Sequence, residues 1–585
     1  APAVLAGDAG ADGPAEGLEA ARGVVASIAG AAGDSAASDI GLDLDGEQVR
    51  LRGDSRLWTP DTLRRMAGHL STVARQVTAD PGLRVDELEL LDEQERRRIV
   101  SEWNDTDVAW PSGEYLELIA EHARAHPDTT AVSHGRRQIS FAEFDRLTNQ
   151  LAHRLRRAGV CDGDRVGLFC PRGADYVLAA IAILKAGSAI VALDPVNPDP
   201  RIEYMLADSA PQAVLTTGSL RDRLPDGPGV LLIDDIDGEP TSTVRSSIGS
   251  YGISHLIYTS GSTGEPKAVL ERRGAIENLV HWTERAYGVR PGDRASWLST
   301  PGFAVQIMEW MPYLALGVTV CIPEAAEAQS PERIRDWLVA EGVTHTMLVA
   351  ALAEPAWALD WPVDTALRVL VTTAERVHSW PPIDTPFRVV MTYGTTETTN
   401  ALTCLDIGAG IDLTSAATPE HIRASRPVPV GRPIANVQAY IVDGNDRPVP
   451  PGVVGRLLIG GAGLSAGYHN RPDLTVAKFG PCLIDGVDGT VYETGDLARY
   501  RPDGAIELLG RDDSQVKIRG FRVELGEVES AIAAHQAVRE AIVTTYRPTP
   551  EDVWLVAYVT TDDPQDDISG LKAQLAKALP FYMVP

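Results

Sequence analysis

Ile257-Tyr-Thr-Ser-Gly-Ser-Thr-Gly-Glu-Pro-Lys-Ala-Val269 passes from an apolar run into small and hydroxylated residues and back again. The apolar run Ile253 to Tyr258 leads into it and predicts a buried strand. The run then breaks into Thr259, Ser260, Gly261, Ser262, Thr263 and Gly264, followed by Pro266-Lys267. Gly261 and Gly264 let the backbone turn its N–H groups into one concavity, which suits anionic oxygens. The hydroxyls of Ser260, Ser262 and Thr263 add donors, and Lys267 adds positive charge. The same residues also suit a plain surface turn between two strands. They are not a Walker A loop, which needs four residues between its glycines and then Gly-Lys-Ser/Thr.

The 585 residues around this stretch are enough for several domains. Apolar residues at 44% and charged residues at 23% are ordinary for a globular chain. A net charge of -28 argues against nucleic acid and anionic membrane as partners. No run approaches the ~20 apolar residues of a membrane span, and no basic segment leads an apolar one as in an export signal. Cys161, Cys170, Cys321, Cys404 and Cys482 are scattered, with no C-x-x-C pair. Buried free thiols in a cytoplasmic protein are the expectation.

Strands alternate with helices on both sides of the opening stretch. Ser140 caps a helix that Gly159 stops, Val166 to Cys170 is a strand, Tyr176 to Lys185 a helix, and Ala189 to Leu193 a strand. Ala275 to Tyr287 is a helix and Val389 to Met391 a short strand. This order predicts an α/β fold with a parallel, doubly wound sheet. At the start of the chain, Glu16 to Ala32 is compatible with a helix and Leu42 to Arg52 alternates like one strand. Thr59-Pro60 opens an amphipathic helix to about Val77. At the other end, helix 527–535, strands 540–546 and 553–560, and helix 567–578 predict a small α+β lid.

Tyr258 to Lys267 resembles the phosphate loop of the acyl-adenylate-forming enzymes, in particular the adenylation domains of nonribosomal peptide synthetases. Other stretches resemble that family's further motifs: Leu184 to Pro195, Thr392-Tyr-Gly-Thr-Thr-Glu-Thr398, Tyr492-Glu-Thr-Gly-Asp-Leu497, Gly510 to Glu529, and Leu579-Pro-Phe-Tyr-Met-Val-Pro585. The resemblance implies a large core with parallel sheets packed by helices, plus a small mobile lid. Residues 1–105 resemble the tail of a condensation domain and its linker, without chemistry of their own. The core would be 106–511 and the lid 512–585, cut before the family's last motif.

The resemblance implies ATP and Mg²⁺ as cofactors. Residues 259–264 and Lys267 would hold phosphates, with Thr263 and Glu397 catalytic and Glu397 the metal ligand. Thr373, Ala374 and Glu375 would line the adenine edge, with Tyr393 stacking on the ring amid Thr392, Gly394, Thr395 and Thr396. Asp496 would accept both ribose hydroxyls, Arg511 would approach the ribose, and Asp513 would be the hinge. The acyl group would pass to phosphopantetheine on a peptidyl carrier domain outside the chain, with the condensation domain as the other partner. An Asn-Gly-Lys expected past Met583-Val-Pro585 has no counterpart here, so the stretch given should catalyse adenylation poorly.

The acid pocket departs from the family. Its aspartate, which pairs with an α-ammonium, falls on Ala304, and the other positions are Val305, Met308, Met347, Val371, Thr373, Thr392, Asn400 and Ala401. A methyl cannot pair with a buried ammonium. Either the small carboxylic acid lacks a standard α-ammonium, or the domain activates nothing and acts as a scaffold whose carrier is loaded from elsewhere. Asn400 or a threonine hydroxyl holding the ammonium is a third possibility. Two decoys lie in one turn. Gly461-Ala-Gly-Leu-Ser-Ala466 fits a dinucleotide fingerprint but meets Asn470-Arg-Pro472 where a helix should run. Gly463-Leu-Ser-Ala-Gly467 would make Ser465 a hydrolase nucleophile, with Asp496 and His535 in the right order.

Overall fold

The computed structural model describes residues 4–5, 24–29, 40–45, 48–54, 57–111, 114–225, 229–261, 264–399, 401–407, 428–518, 520–548, 553–561 and 568–585. Ser262, Thr263 and Asn400, singled out above, lie outside the described residues.

Two large sheets form the core. In the first, Val230–Leu232, Ala213–Thr216, Arg165–Phe169, Ala189–Leu193 and Ile253–Thr259 run parallel, and Lys267–Arg272 closes the edge antiparallel. In the second, nine strands are ordered from Arg432–Pro433 to Arg137–Ser140, and its centre is parallel from Arg388–Tyr393 to Thr130–His134. The helix Ala174–Lys185 packs beside strands of both sheets, and every residue but Asp175 is buried, so its sequence is apolar all round. Its one buried charge is satisfied: Lys185 Nζ donates to Asp145, Thr148 and Asn149 at 2.6, 2.8 and 2.8 Å.

A five-stranded antiparallel sheet, built on Thr490–Tyr500, completes the large lobe. The lid follows as the hairpin Gln515–Ile518/Phe521–Glu524, the helix Leu525–Ala533, the hairpin Glu540–Tyr546/Trp554–Thr560 and the helix Leu571–Ala578. Its own apolar cluster is centred on Val523, Val528, Ile532 and Met583.

Two expectations near the start are corrected. Val24–Ala29 is a strand inside the span read as a helix, because Val24, Val25 and Ile28 are β-branched and pair with Val49 to Asp54. Leu42 to Arg52 is a hairpin, Ile40–Asp45 against Gln48–Asp54, rather than one strand. The helix Pro60–Ala79 follows, with Thr59 Oγ1 accepting the Thr62 N–H at 3.2 Å. The link into the core is stitched by side chains: Asn104 Oδ1 accepts the Ala439 N–H at 2.7 Å, and Thr106 Oγ1 donates to the Val437 carbonyl at 2.8 Å. Among the described residues no helix is long and apolar enough to cross a membrane. All five cysteines are free, but the expectation that they are buried is corrected: Cys170 and Cys321 are, Cys404 and Cys482 are half-buried, and Cys161, in the turn after the helix Phe141–Arg157, is exposed.

Candidate functional site

The site begins where parallel strands end. Arg388–Tyr393 runs buried through the second sheet and releases Gly394-Thr395 and the single turn Thr396–Thr398 at its C-terminal edge. Ligand crevices of α/β sheets form at such edges. The first sheet delivers Ser260 and Gly261 from the end of Ile253–Thr259. The lid hairpin lies over both. Between them is a narrow cleft, lined on the core side by Phe303, Val305, Thr373, Ala374, Gly394, Thr395 and Thr396. Arg511, Gln515, Val516, Lys517, Gly520 and Arg522 line the other side. Residues expected around the adenine and the ribose thus meet in one cleft.

One wall carries the diol candidate. Asp496 and Arg511 are cross-strand partners, and Arg511 Nη1 donates to Asp496 Oδ1 at 2.8 Å. The Tyr393 hydroxyl donates to Asp496 Oδ2 at 2.5 Å. Arg511 also donates to both oxygens of Asp513, at 2.7 and 2.6 Å. Lys517 Nζ stands 5.9 Å from the centre of the Tyr393 ring, and burial lowers its pKa. Glu375 accepts the Gly520 N–H at 2.5 Å. Ala374 takes the left-handed region at φ 74.

The opposite wall carries the charges. Glu397 is fully buried, and Arg522 Nη1 donates to its two oxygens at 2.8 and 2.7 Å. The Tyr468 hydroxyl donates to Oε1 at 2.7 Å. Burial alone would raise the Glu397 carboxyl, but Arg522 and then Lys267 overcome it and hold it at about 2. Lys267 is 3.8 Å from Glu524. Ser260 Oγ donates to the Arg522 carbonyl at 2.9 Å and accepts the Glu524 N–H at 3.1 Å. The Gly261 N–H donates to the Glu527 carboxylate at 3.1 Å, and Arg201 pairs with the same carboxylate at 2.5 Å.

These contacts test the expected ligands. The loop N–H already holds an anion, the Glu527 carboxylate, and Glu397 already holds a cation, the Arg522 guanidinium. Both donor sets fit a nucleotide polyanion and its metal. Among the described residues no group of three or more His, Cys, Asp and Glu side chains could hold a metal ion by itself. A cation here would have Glu397 as its protein carboxylate and draw further oxygens from the nucleotide, as Mg²⁺ commonly does.

Behind Glu397 lies an acid that sequence reasoning missed. Glu271 is fully buried, with one carboxylate oxygen unpartnered and the other 2.8 Å from Thr399 Oγ1. Burial, with the charge of Glu397 nearby, pushes its carboxyl up to about 8, although the Thr399 hydroxyl pulls the other way. Arg522, Glu524 and Glu527 were legible as motif residues but carried no role, because their partners are remote in sequence. Arg201 gave no signal at all.

The acid-pocket residues are buried. Val305, Met308, Met347, Val371 and Ala401 belong to the main apolar core. Ala304 packs with Ala192 and Ile257, and Thr373 and Thr392 are buried. Thr259 Oγ1 donates to the Lys267 carbonyl at 3.4 Å. Ser465 offers no nucleophile elbow. It is buried, its Oγ accepts the Gly467 N–H at 3.4 Å, and its N–H donates to the Glu397 carbonyl.

Comparison with known proteins follows the same lines. Residues 119–469 match the family model described as AMP-binding enzyme. The chain is 41% identical over 538 residues to a linear gramicidin synthase of Brevibacillus parabrevis, across 90% of this chain and 10% of that protein. It is 31% identical over 568 residues to tyrocidine synthase 2 of the same organism, across 94% of this chain and 15% of that protein. It therefore spans only 10% and 15% of these two relatives' lengths. Among solved structures, holo-AB3403, a four-domain nonribosomal peptide synthetase bound to AMP and glycine, superposes with a TM-score of 0.71 at 28% identity, covering 94% of this chain and 40% of that one. The α-methyl-L-serine-AMP-bound form of the nonribosomal peptide synthetase FmoA3 (S1046A) gives 0.70 at 30% identity, covering 83% and 55%.

Proposed function

This chain belongs to the AMP-binding enzyme family and is an adenylation domain of the nonribosomal peptide synthetase type; from that premise we propose that it activates a small carboxylic acid as its acyl-adenylate and passes the acyl group to a carrier-domain thiol. The observation that carries the reading is the pair of stand-ins in one cleft: a carboxylate on the Gly261 N–H and a guanidinium on Glu397.

In the first step a substrate carboxylate oxygen bonds to the α-phosphorus of ATP, and the bond to the pyrophosphate oxygen breaks. The difficulty is an anion approaching a polyanion. Gly261 N–H, Ser260 and Lys267, with Ser262 and Thr263, offset that repulsion and steady the leaving pyrophosphate. Mg²⁺, when bound, supplies positive charge to the phosphate oxygens, with Glu397 as its carboxylate. Asp496 orients the ribose through two acceptor oxygens, and Tyr393 offers its ring face to adenine. In the second step the phosphopantetheine of a peptidyl carrier domain supplies the acceptor thiol. Gly520 lets the backbone approach that arm closely, and Asp513 is the hinge of the lid. Residues 1–105 are read as a condensation-domain remnant and linker, 106–511 as the core and 512–585 as the lid.

The acid follows from the pocket. Ala304 lies against Ala192 and Ile257, and none of the described pocket positions offers a carboxylate to an ammonium. A keto, hydroxy, aryl or β-amino acid fits better than a standard α-amino acid. The test is ATP–pyrophosphate exchange in the natural full-length protein over a panel of such acids, with Mg²⁺. Exchange is expected with at least one, and Asp496→Ala should weaken ATP binding at least about tenfold, the scale of a lost charged hydrogen bond. Silence with every acid would overturn activation and leave the scaffold reading.

A further inference from the structure

Three segments meet behind the Glu397 carboxylate. The strand Lys267–Arg272 contributes Glu271, the turn Thr396–Thr398 carries Glu397, and the loop from Gly463 to His469 threads between them. The loop is sewn to the strand, with Ala466 N–H donating to the Leu270 carbonyl at 2.8 Å and Leu270 N–H to the Gly467 carbonyl at 3.0 Å. The same loop fixes Glu397 twice, through the Ser465 N–H on its carbonyl at 2.9 Å and the Tyr468 hydroxyl on its carboxylate at 2.7 Å. Thr399 closes the turn in the left-handed region, at φ 52, where a β-branched residue is strained. Something must hold it there. Its hydroxyl is 2.8 Å from Glu271 Oε2 and 3.1 Å from the Gly463 carbonyl.

A threonine hydroxyl has one proton and can serve only one of those acceptors as donor. It donates to the nearer one, Glu271 Oε2, and the Gly463 carbonyl lies within reach of the same hydroxyl. Those contacts tie strand, turn and loop together at residues that do not line the cleft.

We propose that Glu271 is a positioning residue, which acts through Thr399 to hold the turn so that the Glu397 carboxylate faces the bound metal. The proposal rests on the nucleotide reading of the cleft and deepens it by naming what sets the metal ligand in place. It predicts a selective defect. Asp496 lies on Thr490–Tyr500, away from the turn, and Tyr393, at the end of the strand before it, is held by its own hydrogen bond to Asp496, so the grip on adenosine should not feel the change.

The test is calorimetry on the full-length protein with two ligands, ATP plus Mg²⁺, and AMP in EDTA. Glu271→Ala is expected to weaken ATP–Mg²⁺ binding about tenfold while AMP binding changes less than twofold. Glu271→Gln, which keeps an amide oxygen to accept from Thr399, should restore wild-type affinity. Thr399→Val, which removes only the hydroxyl, should reproduce the loss and carries the test if Glu271→Ala does not fold. The double variant should be no worse than the poorer single one. Equal losses for both ligands, or no loss in Thr399→Val, would overturn the proposal. A wild type that binds neither ligand would overturn the nucleotide reading itself, and this inference with it.

Discussion

His255 shows what one buried side chain does to the behaviour of the fold. It sits on the strand Ile253–Thr259 that leads to Ser260-Gly261, fully buried, with Nδ1 3.1 Å from Ser254 Oγ and no partner for Nε2. Burial, reinforced by Arg273, pushes its pKa down to about 3. The unfolded chain takes up a proton near 6.5 and the folded chain does not until far lower. The stabilisation is therefore complete above about pH 6.5 and is lost as pH falls towards 3, by about 1.4 kcal/mol per pH unit for a single group. His255→Asn is expected to flatten that part of the dependence of melting temperature on pH; an unchanged slope between pH 4 and 6 would refute the assignment. Individual site residues were unevenly legible before the structure. Asp496, Tyr393 and Arg511 stand in motifs long enough to announce themselves. Glu271 lies only four residues past Lys267, yet its role depends on Thr399, 128 residues further on, and nothing local in either segment marks the pair.

At the scale of elements, the hairpin Gln515–Ile518/Phe521–Glu524 does most of the work of enclosing the cleft. Gly520 at its tip has φ 84, and a Cβ there would stand 3.0 Å from Val349 Cγ1. Gly520→Ala is expected to cost the docked hairpin about 1–2 kcal/mol through left-handed strain. The check is faster protease cleavage within the lid, with the melting of the core unchanged. Helices and central strands were readable wherever apolar spacing and caps agreed, as from Ser140 to Arg157, where Ser140 Oγ accepts the Glu143 N–H at 3.2 Å. The first fifty residues misled because Ala and Gly dominate them. Their strand character lies in a few β-branched residues that matter only once a neighbouring strand pairs with them.

Over the full chain, lid and core are locked by charged pairs at the candidate site. Arg522 holds Glu397, Glu527 holds the Gly261 N–H, and Arg201 pairs with Glu527 where both are buried. Breaking one partner of a buried pair is costly because the other charge is stranded. Arg201→Ala is therefore expected to loosen the lid, seen as a larger radius of gyration in solution scattering; an unchanged radius would show that the remaining contacts suffice. The sequence announced that a lid exists but not where it rests, since docking depends on pairs separated by 125 to 326 residues. One quieter feature makes such motion measurable. The sole exposed thiol, Cys161, sits on the large lobe and leaves the native chain with a built-in attachment point for a fluorophore. A single acceptor dye on an outward-facing position of the second lid hairpin would then turn every swing of the small lobe into a change of colour.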